Sequence, residues 1–194
     1  MSADADPDPD RPGDDTDHDN ARKQVVAVDG TDRDQGLVNR LEAHTGDGTR
    51  HRAFTALVFD VDGRILLAQR SPDKRLWDTY WDGTVASHPD RGQSHEVAAT
   101  ARLEEELGVA PDQYENLRVT DKFEYKRYYL EEGVEHEVCA VLKCTLIDTE
   151  LSPDAAEVGG YLWAPYDRLH RRPRLYRQLR LCPWFEIAMR RDFR

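Results

Sequence analysis

The sequence is short of lysine, of cysteine and of long apolar runs, and each shortage excludes something. Lys and Arg together number 27 against 38 Asp and Glu, for a formal net charge of −11. A phosphate-backbone binder carries a basic face, and a membrane-surface helix carries a basic stripe. Neither follows from this balance, so neither nucleic acid nor a membrane is an expected partner. Five of the basic residues are Lys (Lys23, Lys74, Lys122, Lys126 and Lys143), and Arg supplies the rest. Such usage bears on habitat, salt-adapted or GC-rich, rather than on function. Three cysteines, Cys139, Cys144 and Cys182, are too few and too scattered for a disulfide framework. Apolar runs such as Val25–Val28 are far shorter than the roughly 20 residues of a spanning helix. The acidic N-terminus does not read as a signal peptide. The expectation is a soluble, cytoplasmic protein.

Residues 1–22 separate from the rest by composition. Within the first 20 there are eight Asp and one Arg, which leaves a net −4 for the remainder. A run of like charge with nothing to bury predicts a disordered acidic tail, and residues 23–194 then form one domain. Gln24–Val28 reads as a strand. Leu37, Val38 and Leu41 share one face of an expected short helix ending near Ala43. Phe54–Asp60 and Arg64–Arg70, joined through Asp62-Gly63, form a hairpin signal. Leu76–His88 has no clear period and reads as a structured loop or short strand. Ser94–Leu107 is the clearest helix, with Ser94 to cap it, Glu96 in its first turn and Gly108 to stop it. Leu117–Leu130 and Val134–Leu146 are expected strands, as is Gly160–Ala164. A short helix starts at Tyr166, and Leu175–Arg190 reads as a helix kinked by Pro183. Strands on either side of one strong helix predict an α+β fold, a sandwich built on a mixed sheet.

Two carboxylates near the end of that strong helix, Glu105 and Glu106, can present oxygen ligands to a hard divalent cation that neutralises a diphosphate. The run Ala101-Arg-Leu-Glu-Glu-Glu-Leu-Gly-Val109 resembles the Nudix pattern, in which Arg-Glu-apolar-x-Glu-Glu-x-Gly-apolar follows a glycine loop. The match departs at Ala101 and Arg102, and Gln93 stands where the pattern has Glu. Further pieces occur in a fixed order. Glu42-Ala-His44-Thr and His51 precede the hairpin, and Val85-Ala-Ser-His88-Pro89 precedes the helix. Glu135-His-Glu137-Val follows the long strand, and Cys182-Pro-Trp184 comes near the end. Together they resemble the type 1 isopentenyl-diphosphate isomerases, a Nudix-fold branch, and the resemblance implies a Nudix-type α/β/α sandwich.

The resemblance also implies roles. His44, His51, His88, Glu135 and Glu137 match the family's metal ligands. Three imidazoles and two carboxylates suit Mn2+, Zn2+ or Mg2+, and Glu135 and Glu137 project from the same strand face. Glu106 matches the ligand of a second Mg2+ that bridges to substrate diphosphate, and Glu105 is expected in solvent. Arg70, Lys74 and Arg102 match diphosphate-binding positions, for which guanidinium and ammonium are suited. The implied reaction moves a double bond between isopentenyl and dimethylallyl diphosphate through a tertiary carbocation, so a proton must be given at one carbon and taken at another. Glu137 with Tyr125 beside it matches one such group, and Trp184 matches the aromatic face that stabilises the cation. The family's opposing group is a cysteine two residues before His88, where this sequence has Ala86. Ser87 and Cys139 are neighbours but not obvious replacements. Three readings stand: an isomerase, a Nudix pyrophosphohydrolase acting on an isoprenoid or other diphosphate, and a non-catalytic isoprenoid-diphosphate binder. Tyr125, Glu137 and Trp184 have a joint use only in the first.

Overall fold

The computed structural model describes residues 23–171 and 178–192. The expected acidic tail, and residues 175–177 of the expected C-terminal helix, lie outside the described residues.

Strands β3 (His51–Phe59) and β8 (Gly133–Leu146) form the centre. They run parallel, from His51 opposite Glu137 to Phe59 opposite Thr145. Their near-continuous apolar sequences are what a strand buried on both faces requires. On the other edge of β3 lies β6 (Thr84–Ser87), antiparallel, with Phe54 opposite Ser87. Beyond β8 lies the long antiparallel β7 (Tyr114–Tyr129). Strand β1 (Gln24–Val28) joins β3 at Ala27 and His51 and pairs outward with β2 (Asp34–Asn39). The hairpin partner of β3 is β4 (Arg64–Arg70), which also pairs with β5 (Trp81–Asp82) and β9 (Val158–Pro165). Asp60 closes the hairpin turn: its Oδ1 accepts from the Asp62 and Arg64 amides.

Helices cover both faces, as a sandwich requires. Helix α1 (Arg40–Ala43) is a single turn after β2, and α2 (His95–Leu107) is the long helix. Ala99, Leu103 and Leu107 of α2 are buried against Phe54, Ala56, Ala140 and Leu142, and each fully buried leucine contributes about 2 kcal/mol. Ser94 Oγ accepts from the Val97 amide at 3.2 Å. Gly108 ends α2 at φ 67°, and a Cβ there would lie 2.9 Å from Ser152 Cβ. The opposite face is covered by α4 (Pro183–Asp192), whose Trp184, Phe185 and Met189 pack on Leu57, Phe123, Tyr125 and Val141. Between them, α3 (Tyr166–Arg171) follows β9. The chain is α+β, with a mixed sheet between two helical layers.

Two expectations are corrected. Leu37 and Val38 lie on β2, not on a helix, and only Arg40–Ala43 is helical. Backbone pairing with β1 decides this, since Val38 stands opposite Val25 and Leu37 opposite Val26. Pro183 does not kink a helix but begins one, the position where its missing N–H costs nothing.

The unreadable stretch before His88 bends at Gly83, leaving β4 for β3. A Cβ at Gly83 would stand 2.4 Å from Leu57 Cδ2 and 2.7 Å from Phe185 Cδ2. Gly83→Ala therefore lowers stability by about 2 kcal/mol through overpacking. Thermal unfolding followed by circular dichroism reads this as a Tm about 4–8 °C lower.

Candidate active site

One end of the central strands collects three of the sequence's seven histidines. His44 caps the C-terminus of α1, His51 opens β3, His88 follows β6, and Glu135 and Glu137 lie two residues apart near the start of β8. The parallel register that sets His51 opposite Glu137 puts the two side chains on one face. Ligand atoms of His44, His51, His88 and Glu137 all lie within 4.8 Å of one another. His51 Nε2 is 3.1 Å from His88 Nε2, which in turn is 3.1 Å from Glu137 Oε1. Glu135 stands at the side of this set, its Oε2 3.0 Å from His44 Nε2.

Several features fit a cation. His44 Nδ1 lies 2.7 Å from the Arg40 carbonyl and His51 Nδ1 lies 2.7 Å from the Thr49 carbonyl. Each carbonyl accepts a hydrogen bond from the Nδ1–H, which leaves Nε2 with its lone pair aimed at the centre. Among the described residues, Glu135 Oε2 is buried with no hydrogen bond. Burial, reinforced by the neighbouring His51, Arg40 and His44, holds His88 well below its ordinary value, hence neutral. Burial works against charge on Glu137 too, but His51 and His44 overcome it and set its carboxyl at about 2. Three imidazole nitrogens and two carboxylates brought to one centre are the donor set of a divalent cation.

A second cluster adjoins the first in the same cavity of about 220 Å³, which His44, Arg70, Ala86, Glu106, Glu137 and Trp184 help to line. Arg102 Nη2 lies 2.6 Å from Glu106 Oε1 and 2.9 Å from Glu157 Oε2, and its Nη1 is 2.8 Å from Glu105 Oε2. Lys74 also pairs with Glu157. Burial pushes Glu106 up to about 7 in spite of Arg102. Burial pulls Lys74 down, with Glu157 opposing. Arg70 donates from Nε to the Trp77 carbonyl at 3.1 Å and from Nη2 to the Leu76 carbonyl at 2.9 Å. The loop that offers these carbonyls is strained, with Trp77 at φ 57° and Thr79 at φ 60°, at a cost of about 1–3 kcal/mol per residue.

The cavity floor is aromatic. The Tyr125 hydroxyl donates to Glu137 Oε2 at 2.7 Å. Burial first, and then the Glu137 charge, raise this phenol well above its ordinary range. The Trp184 ring lies 6.3 Å from that of Tyr125, and the Arg70 guanidinium sits 5.6 Å from the Trp184 centroid.

The structure thus gathers His44, His51, His88, Glu135 and Glu137 at one centre, with Tyr125 and Trp184 beside it and Arg70, Lys74, Arg102 and Glu106 along the same cavity. Glu105 is exposed, as expected. His95 and His136 lie away from the centre, His136 beside Glu124. Glu157 and Asp82 are among the lining residues that the sequence reading missed. Glu157 precedes β9 in no motif, and Asp82 lies in the stretch Leu76–His88, which reads as a structured loop or short strand.

A fold with helices on both faces of a mixed sheet and this carboxylate-bearing helix is a Nudix domain, and the NUDIX domain family matches residues 49–185. Solved structures share the architecture. The crystal structure of DR0079 from Deinococcus radiodurans aligns with a TM-score of 0.70 at 20% identity, covering 89% of this chain and all of that one. The MutT protein of Methanosarcina mazei aligns over 73% of this chain and 91% of its own with a TM-score of 0.55 at 17% identity. Sequence relatives narrow the class. The isopentenyl-diphosphate Delta-isomerase of Haloarcula marismortui is 69% identical over 90% of this chain and 94% of its own length. That of Halobacterium salinarum is 65% identical over 90% of this chain and 82% of its own. That of Nocardia farcinica is 43% identical over 72% and 77%. The chain belongs to the isopentenyl-diphosphate Delta-isomerase family.

Proposed function

We propose that this protein interconverts isopentenyl and dimethylallyl diphosphate by acid–base chemistry. The observation that carries the reading is the placement of the hydrogen-bonded Tyr125–Glu137 pair and the Trp184 indole in one cavity with the His/Glu centre. Polar nucleotide cleavage has no use for that combination, whereas a carbocation needs a proton-exchanging group and an electron-rich face together. The cavity volume suits a small ligand, and the names of the relatives agree.

His44, His51, His88, Glu135 and Glu137 would hold Mn2+, Mg2+ or Zn2+, and Glu106 a Mg2+ shared with the diphosphate. Bound there, the cations supply charge neutralisation. The remaining work belongs to the chain. Arg70, Lys74 and Arg102 bind and orient the diphosphate, so the five-carbon group points toward Trp184. Glu137, with its proton steered by the Tyr125 hydroxyl, exchanges a proton with the substrate. The Trp184 face then stabilises the positive charge that develops. A pyrophosphohydrolase would draw on Glu105 with Glu106, but Glu105 is exposed and drawn aside by Arg102.

Incubation with isopentenyl diphosphate and Mn2+ or Mg2+ in deuterated water tests the reading. The expected product is dimethylallyl diphosphate carrying deuterium, identified by proton and phosphorus NMR. Release of a monophosphate and inorganic phosphate would establish the hydrolase instead. Ligand-induced stabilisation with neither product would leave only the binder.

A further inference from the structure

The isomerisation needs two proton-exchanging groups, and the Tyr125–Glu137 pair accounts for one. Both of its members come from β7 and β8, on one side of β3. The wall across β3 is made by β5, β6 and the bend between them. At Ala86, where the family resemblance leads one to expect a thiol, that wall offers a methyl group. Thr84 is committed, its hydroxyl donating to the Leu66 carbonyl at 2.6 Å. Cys139 lies on β8, on the wrong side.

Asp82 remains. It lines the same cavity four residues before Ala86 and is 3% exposed. The Gly83 bend turns it inward. The Trp184 Nε1–H is shared by both of its oxygens at 2.9 Å, and Oδ1 also accepts from the Gly83 amide at 2.6 Å. Oδ2 therefore keeps capacity for a further partner. The indole of Trp184 lies between Asp82, bonded at its nitrogen edge, and Tyr125, whose ring is 6.3 Å from it. A buried carboxyl in a substrate cavity with no cationic side chain bonded to it has no evident structural use that Asn would not serve equally.

We infer that Asp82 is the second proton-exchanging group of this site, acting on the alkene from the side opposite the Glu137–Tyr125 pair in place of the absent thiol. The inference rests on the isomerase reading above. Burial raises the Asp82 carboxyl above the usual carboxylate range, with Arg70 opposing, the direction that favours its role as the proton donor. In the forward direction its O–H bond breaks, and the proton forms a C–H bond at the terminal methylene carbon with the alkene π electrons. A C–H bond at C2 then breaks. Its electron pair closes the new double bond between C2 and C3, and the proton passes to Glu137. One proton enters the substrate and one leaves, and the two carboxyl groups return to their starting states by exchange with solvent.

The test compares the full-length wild type with Asp82→Asn, which keeps acceptor oxygen for Trp184 but cannot exchange a proton. With isopentenyl diphosphate and Mg2+ plus Mn2+ in deuterated water, Asp82→Asn should lower kcat by about a hundredfold or more. KM and the substrate-induced rise in Tm should stay near the wild-type values. Adding Ala86→Cys to Asp82→Asn should recover part of the lost kcat, a rescue that a merely structural role would not allow. A wild type that isomerises, with Asp82→Asn within threefold of it, overturns this inference and leaves the isomerase reading intact. A wild type that forms no dimethylallyl diphosphate removes both. A second measurement needs no variant and so does not depend on folding. The epoxide analogue of isopentenyl diphosphate is opened by the acid that protonates it, whose conjugate base then captures the carbon as an ester. Peptide mass spectrometry should find the adduct on Asp82, and an adduct on Ser87 or Cys182 instead would overturn the assignment.

Discussion

Glu137→Gln is expected to lower the turnover of isopentenyl diphosphate by about a thousandfold, within the range for loss of a general acid–base group. The size follows from the two sets of contacts that one carboxylate makes. Oε2 accepts from the Tyr125 hydroxyl at 2.7 Å, and Oε1 faces His88 at 3.1 Å and His51 at 3.5 Å. The amide keeps the volume but loses the charge, and it presents N–H or C=O where two imidazole lone pairs need a cation-binding anion. Glu135→Gln provides the contrast, because Glu135 touches His44 but not Tyr125. Its loss is expected to be about tenfold to a hundredfold in metal affinity, and excess Mn2+ should restore the rate. No metal concentration should restore Glu137→Gln. Steady-state kinetics across a metal titration, with bound metal measured by elemental analysis, separates the two.

Arg102→Ala is expected to cost about 3 kcal/mol of stability in metal-free protein at pH 8, the scale for stranding a buried charge. Glu106 is 7% exposed and Arg102 is its bonded cation. The dependence on pH has a definite sign. The folded Glu106 carboxyl sits at about 7, above its ordinary 4.5, so folding holds a proton that the unfolded chain has released. Stability from this group is therefore full below pH 4.5, falls as pH rises to about 7, and is level above that. Without Arg102 the folded carboxyl moves higher still, so the fall continues past neutrality. The Tm gap between wild type and Arg102→Ala should be small at pH 5 and widest at pH 8. The same variant should raise KM for the diphosphate, since the lost guanidinium is one of the three cations proposed to bind it. A Tm gap independent of pH would mean that Arg102 acts only through packing.

The sequence announces those parts of the fold whose cause is local. Ser94 and Gly108 mark α2 because a hydroxyl cap and a left-handed stop are properties of single residues. The Asp62-Gly63 turn is likewise a near-neighbour signal. Leu37 and Val38 mislead because β2 is held by backbone bonds to β1, which leave no mark on its side chains. Pro183 misleads because a proline inside a helix and one at its start look alike until the preceding turn is known. The metal-type set is readable only because a resemblance joins five residues spread from His44 to Glu137. No spacing rule links His44 to Glu135, which meet because β8 runs parallel to β3 and begins against the end of α1, where the Val134 amide donates to the His44 carbonyl at 3.1 Å. Asp82 and Glu157 carry no motif, and their positions depend on the Gly83 bend and on the pairing of β9 with β4.

The ion pairs of Glu157 with Lys74 and Arg102 have a consequence for anion discrimination. With no substrate bound, the cationic end of the cavity already has an internal counter-ion, and any arriving anion has to compete with it. Chloride or a singly charged phosphate ester exchanges one negative charge for another and gains little. A diphosphate brings several charges and a bridging geometry, so it can satisfy both cations and tolerate the carboxylate as a neighbour. On the proposed reading Glu157 would set a threshold of valence, holding the cavity closed to common inorganic anions in concentrated salt and open to the diphosphate.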